Sequence, residues 1–257
     1  MFRRSLACLL FALSGWAGAQ DSPAIAAASD LKFALDELAQ AFHQATGRSV
    51  RPSYGSSGNF FRQIVQGAPF QLFLSADEEF VFALADRQLT VDRGEPYAIG
   101  RLVLFTPTGS PVKADLQFAD LRLALADGRL RKFAIANPEH APYGRAAMQT
   151  LRSLGLWTAI EPRLVLGENV SQAAQFAASG STQGGLFALS LGLSPAIAGA
   201  GRQVVVPEHL HAPLRQRMVL IRGAGETARA FHDFLRQPAA RAVFRRHGFE
   251  LPAPPPG

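Results

Sequence analysis

One cysteine, Cys8, is all that the 257-residue chain contains, and it lies close to the first residue. The rest of the chain therefore has no disulfide, no thiolate to hold a metal and no cysteine nucleophile, and folding must rest on core burial. Long apolar runs are as scarce. Beyond the N-terminal stretch none approaches the roughly 20 apolar residues that spanning a membrane requires. The chain also lacks a G-x-x-x-x-G-K-[ST] loop, an H-E-x-x-H pair and any cysteine–histidine zinc spacing, which removes the commonest nucleotide and zinc chemistries. Gly180-Ser181-Thr182-Gln183-Gly184 carries threonine where a nucleophile elbow has serine, and Gly55-Ser56-Ser57-Gly58 has the wrong spacing for one. No basic stripe is interleaved with aromatics. The 26 Lys and Arg against 20 Asp and Glu give a net charge of +6, but the arginines are dispersed, so nucleic-acid binding is unsupported. Such a weak positive field still helps gather small anions. There is no internal repeat.

What is present is a large apolar content, 48%, enough for one large or two modest cores. The first residues read as an export signal over 1–19: Arg3 and Arg4, then the apolar Leu6 to Leu13, then Ala17-Gly18-Ala19 before Gln20. That predicts a periplasmic protein. Leu6-Ala7-Cys8 is a poor lipobox, because the cysteine precedes most of the apolar region. Without Arg3 and Arg4 the balance falls to 24 basic against 20 acidic residues.

Hydrophobic periodicity then alternates between strand and helix. Ala24 to Ala28 reads as a strand, and Leu31, Leu35, Leu38 and Phe42 as a helix ending before Gly47. Ser49 to Ser53 is a second strand, and a helix from Phe60 closes at Gly67. Gln71 to Ser75 is a third strand, with Glu78 to Arg87 helical behind it. Ala98 to Thr106 reads as one long strand, after which the alternation restarts with Leu121–Leu125, then Phe133–Ala136, Leu164–Leu166 and Gly185–Leu189. Val204–Val206, Met218–Ile221 and two helices, Thr227–Phe234 and Ala239–Arg246, close the chain before a frayed tail, Pro252–Gly257. The pattern predicts an α/β protein of two lobes, each a mostly parallel sheet flanked by helices, with a ligand cleft between them. The lobes are expected at 20–98 with 211–257, and at 99–210.

Four short polar loops stand immediately before helical runs: Ala27-Ala28-Ser29-Asp30, Tyr54 to Asn59, Asn137 to Arg145, and Gly167 to Ser171. Helix starts at the carboxyl ends of parallel strands present unpaired N–H groups to a shared crevice, so four of them suggest one anion pocket. Taken singly, Ser29, Ser56 and Ser57 are better explained as helix N-caps, and it is their repetition that favours an anion pocket. His140 is the most tempting base in the chain, with Glu139 or a serine beside it, which would make a periplasmic hydrolase. The other histidines are scattered without metal-ligand spacing.

Taken in order, Ala26-Ala27-Ala28-Ser29, Tyr54-Gly55-Ser56-Ser57-Gly58, Arg62-Gln63-Ile64 with Gly67-Ala68-Pro69, Ser75-Ala76-Asp77, Asn137 to Gly144, and Gly167-Glu168-Asn169-Val170 resemble the periplasmic molybdate-binding proteins of ABC transporters. The likeness runs from about Ala24 to Phe249. It implies a two-lobed binding-protein fold, capture of molybdate and usually tungstate, no cofactor and no catalysis, and delivery to an inner-membrane permease; separately, a monomer is expected because no contiguous exposed apolar patch can be assigned from the sequence. The resemblance places the ligand contacts on Ser29, Asp30, Ser57, Tyr143 and Val170, the last through its backbone, with the metal reached only through the oxyanion's oxygens. A tyrosine that some members contribute is replaced here by Ala188, and the Tyr143 hydroxyl is the expected substitute. Asp30 is expected to offer its amide and to turn its carboxylate towards a helix N-terminus or a cation. A carboxylate facing the pocket would instead favour a protonated ligand such as phosphate. Sulfate, phosphate or an organic acid are the competing ligands on the same architecture.

Overall fold

A computed structural model describes residues 22–252. The export signal expected over 1–19, Cys8 within it, and the tail past Pro252 lie outside the described residues. The chain opens with β1 (Ala24–Ala28), a 3-10 turn (Ser29–Leu31), α1 (Lys32–Thr46), β2 (Arg51–Gly55), α2 (Ser57–Val65), β3 (Phe70–Ser75), α3 (Glu78–Asp86) and β4 (Glu95–Gly100). It continues through β5 (Leu102–Pro107), α4 (Ala119–Ala126), β6 (Phe133–Ala136), α5 (Pro142–Ser153), α6 (Trp157–Ile160), β7 (Leu164–Gly167), α7 (Val170–Ala178), β8 (Gly185–Ala188), α8 (Leu189–Gly192) and β9 (Gly201–Val205). Then β10 (Leu214–Leu220), α9 (Glu226–Arg236) and α10 (Pro238–Arg246) finish it.

Two five-stranded sheets result, in the orders β2-β1-β3-β10-β4 and β7-β6-β8-β5-β9. In each, three strands run parallel and the fourth lies antiparallel to both of its neighbours. The lobes thus share one strand order, and the odd strand of each, β10 or β5, is the one that follows a crossing from the other lobe. The period of two along β1 explains why helices cover both faces of the first sheet. Ile25 and Ala27 pack with Leu31, Leu35, Leu38 and Phe42 of the first helical segment and with Phe231 and Phe244 of α9 and α10. Ala26 faces the other way, onto Phe60, Ile64, Val81 and Leu84 of α2 and α3. The second lobe has its own core around Leu102–Phe105, Phe133–Ala136 and Leu186–Ala188.

Three expectations need correction. The long strand over Ala98–Thr106 is two strands. It breaks at Arg101, and β4 and β5 belong to different sheets, so the first crossing between lobes is a single residue, whereas the second takes 206–213. The Leu121–Leu125 run is not a strand but part of α4. Its buried positions are Leu121, Ala124 and Leu125, at helical spacing, while Leu123 is 60% exposed, and Asp115 starts the helix by accepting the N–H groups of Gln117, Ala119 and Asp120. Finally, β2 is shifted to Arg51–Gly55 and α2 begins at Ser57 instead of Phe60. Ser56 is its N-cap, extended at φ −81° and accepting from the Asn59 N–H at 3.4 Å. That shift moves Ser57 from a loop into the first turn of a helix.

Candidate functional site

The carboxyl ends of β1, β2, β6 and β7 deliver the chain to four helix starts, and all four border one small cavity between the lobes. Ser29, Ser56 and Ser57 line it from the first lobe, together with Ala76 beyond β3; Tyr143 and Val170 line it from the second. No charged side chain is in the lining. Of the five expected ligand residues, four are therefore brought together, and the fifth, Asp30, sits directly behind Ser29.

The two serines are oriented by bonds in which they accept. Ser57 Oγ takes the Ala76 N–H at 3.0 Å, and Ser29 Oγ takes the Ser171 N–H at 3.3 Å. Each hydroxyl keeps its own hydrogen to give. Ser56, by contrast, is used up in capping α2 and in meeting His140. On the opposite side the donors are backbone groups. Val170 is the first residue of α7, whose N-cap Asn169 turns its side chain to the Gln172 N–H at 3.1 Å. Pro142 fills the first position of α5 and has no N–H, so the first amide that helix presents is Tyr143's. Among the described residues, the N–H groups of Ser57, Tyr143 and Val170 have no protein acceptor. With two hydroxyls and the positive ends of three helices, the cavity is a cage of neutral donors fitted to an anion.

The lobes are stitched together around this cage. Ser171 Oγ donates to the Ser29 carbonyl at 2.8 Å, and Ser190 Oγ to the Asp30 carbonyl at 2.8 Å. Gly58 N–H donates to the His140 carbonyl at 2.9 Å. A Cβ on Gly58 would stand 2.7 Å from that carbonyl oxygen, so only glycine allows the approach. Asn59 donates to Glu168, and Arg145 pairs with Asp77. His140 has its Nδ1 2.9 Å from Ser56 Oγ and its Nε2 3.5 Å from Glu168. Serine, histidine and carboxylate do meet, then, but through Glu168 and not Glu139. The residues serve as an interlobe clasp: Ser56 Oγ is fixed as a helix cap, and the residue is buried at the joint.

Behind the cage is a buried polar network. The Asp30 carboxylate takes the Gln216 Nε2–H at 2.5 Å on Oδ2. Gln216 also reaches Tyr143 Oη at 3.3 Å and accepts from Tyr97 Oη at 2.6 Å. The hydroxyl of Tyr143 is thus directed to Gln216, beside Gly100, and not into the cage, and what that residue turns to the cavity is its backbone at the helix start. The Asp30 carboxylate lies outside the cavity lining and meets the neutral side chain of Gln216, where a helix N-terminus or a cation was the expectation. Burial pushes its pKa up to about 6, against the opposing pull of Gln216, Tyr143 and the nearby backbone N–H groups; Oδ1 has no partner. Burial, then the Asp30 charge, holds Tyr97 and Tyr143 well above 10. Ala188 ends β8 outside the cavity lining.

Gln216 and Tyr97 belong to the network although no sequence motif singles them out. A signal for Gln216 was present: in β10 the inward positions are Leu214, Gln216, Met218 and Leu220, so the alternation itself puts a glutamine in the core. Nothing comparable marked Tyr97.

Comparison with known proteins gives a consistent result. Residues 24–250 match the family described as bacterial extracellular solute-binding protein. The chain is 36% identical over 216 residues to the molybdate-binding protein ModA of Rhodobacter capsulatus, covering 83% of this chain and 82% of that one. It is 35% identical over 230 residues to ModA of Azotobacter vinelandii, covering 88% and 89%. The solved periplasmic molybdate-binding protein of Azotobacter vinelandii superposes with a TM-score of 0.80 at 32% identity, over 90% of this chain and 100% of that one.

Proposed function

Because the chain belongs to the bacterial extracellular solute-binding proteins, and among them to the molybdate-binding family, we propose that the cage between its lobes captures molybdate for an ABC transporter. The observation that carries this reading is the lining itself: hydroxyls of Ser29 and Ser57 and helix-start amides of Ser57, Tyr143 and Val170 surround one cavity free of charged side chains. A tetrahedral dianion carries its own charge and has no proton to share, so it asks for donors on all sides and for no acceptor. No carboxylate faces the cavity, which favours molybdate, and with it tungstate, over a protonated phosphate. Asp30 contributes through the backbone that carries Ser29. As a member of a solute-binding family the chain is a carrier and not an enzyme.

Donors come from both lobes, so the anion binds the joined arrangement better than a parted one, and its differential affinity drives closure. The joined form is what a permease would recognise before the cargo is released to it. The chain acts in the periplasm, as a single copy, after export directed by residues 1–19.

Thermal unfolding of the protein with molybdate, tungstate, sulfate and phosphate, each added separately, tests the reading. Ligand at about 100 times its dissociation constant adds roughly 2.7 kcal/mol to stability and raises the midpoint clearly. A rise with molybdate and tungstate is expected. A rise with phosphate alone would reject it.

A further inference from the structure

The Asp30 carboxylate is a side chain that the proposed capture of an anion leaves unexplained, and its setting is unusual. It is buried, 1% exposed, one residue from a cage meant for two negative charges. Every group facing it is neutral: Tyr143 from α5, Tyr97 from β4, Gln216 from β10, and Ser190, which bonds its backbone carbonyl. No lysine, arginine or histidine compensates it, and Oδ1 finds no donor. An ionised carboxylate and a dianion buried side by side, with no cation for either, would be strongly disfavoured.

Resting on the reading of the cage as a site for a tetrahedral dianion, we propose that Asp30 is a proton-taking positioning residue: anion capture is accompanied by uptake of one proton from solvent onto its carboxylate, at Oδ1. The proton cancels the one charge that opposes the ligand. Oδ2 keeps its bond from Gln216, so the network that ties α5 to the first sheet survives the change. Before binding, the raised carboxyl is largely ionised at neutral pH, its pKa standing at about 6; a dianion next to it raises it further, because like charge favours the neutral form. Capture and protonation therefore favour each other. Free of ligand, the site exposes its partner-less carboxylate to ionisation, and a rise in pH weakens the cage's hold.

Isothermal titration of molybdate into the whole protein, repeated in two buffers of different ionisation enthalpy, counts protons directly. From about pH 6 upwards to about pH 8.5, one-proton linkage predicts a dissociation constant that climbs by up to about tenfold per pH unit, with uptake approaching one proton. In Asp30→Asn, which keeps the size and an acceptor for Gln216, the uptake vanishes and the profile flattens. Wild-type protein that binds molybdate with no proton exchange and a flat profile would overturn the proposal while leaving the carrier function intact. So would uptake that persists in Asp30→Asn and disappears in His140→Gln, which would assign the proton to the clasp. Absence of any molybdate binding would overturn the proposal together with the function it rests on.

Discussion

In the first lobe the wall of the cage is made of side chains, the hydroxyls of Ser29 and Ser57, each held by an N–H that it accepts. In the second it is made of main chain, the amides at Tyr143 and Val170, while the side chains there do other things: Val170 packs in the core and Tyr143 reaches back to Gln216. The lobes repeat one strand order, so this difference does not come from topology. It comes from what stands at each helix start. A serine at the first turn adds a hydroxyl donor beside the amide, whereas Pro142 removes one amide and Val170 adds no polar atom. Sequence identity should therefore decide affinity on one wall, and backbone conformation on the other.

Substitutions can break that contrast or sharpen it. The largest effect is expected from Ser29→Ala combined with Ser57→Ala. Hydrogen bonds to a charged group contribute about 1.5–3 kcal/mol each, so the pair should lower molybdate affinity by roughly 1000-fold in titration. A loss below tenfold would mean that hydroxyls are not the first wall's contribution.

Asp30→Asn should next show itself in stability without ligand. The folded carboxyl is raised from 3.8 to about 6, so the native chain holds its proton more tightly than the unfolded one. The stability this gives is complete below the lower value and is lost as pH rises through the upper one. At neutral pH the variant should be more stable by on the order of 2 to 3 kcal/mol, and at pH below the lower value no different. Equal denaturation midpoints throughout would show that the buried charge costs the fold nothing.

Gly58→Ala leaves every donor in place but sets a methyl against the His140 carbonyl. Alanine suits a helix at least as well as glycine, so the free protein should keep its melting temperature while affinity drops by about tenfold or more, a loss on the scale of 1.4 kcal/mol. A variant that binds normally would show that the lobes need not meet there.

Smaller again is Arg145→Gln, which removes the half-exposed pair with Asp77. Such pairs contribute about 0–1 kcal/mol, so a change of no more than about fivefold is expected, shrinking with added salt. Val170→Ala should matter least, within about twofold in affinity, because the N–H remains; a large loss would make the second wall a side-chain wall after all.

The places of the four helix starts were legible in the chain, but the contrast between the walls was not, since a hydroxyl was expected from Tyr143 where the structure offers an amide. Ser29, Ser57, Tyr143 and Val170 each stand where a short strand gives way to a helical run, and that local pattern carries over into three dimensions because helix starts at strand ends share a crevice. What the chain hid were properties of pairing. Ala98–Thr106 is apolar enough for one strand, and nothing local reports that Arg101 separates two sheets. Leu121–Leu125 is too short for its own period to distinguish strand from helix. The polar network behind Asp30 draws on residues 97, 143 and 216, separated by most of the chain, and a carboxylate's orientation is decided by just such distant neighbours.

The lining without charged side chains has a last consequence, in the medium around the protein. Fixed dipoles hold no atmosphere of mobile ions, and dissolved salt weakens them little at close range, whereas attraction between exposed net charges fades within about 8 Å at physiological ionic strength. A cage built from lysines would tighten in dilute surroundings and slacken in brine. One built from hydroxyls and amides keeps its grip through both, which suits a carrier working outside the cytoplasm, where the composition of the water is not the cell's to choose.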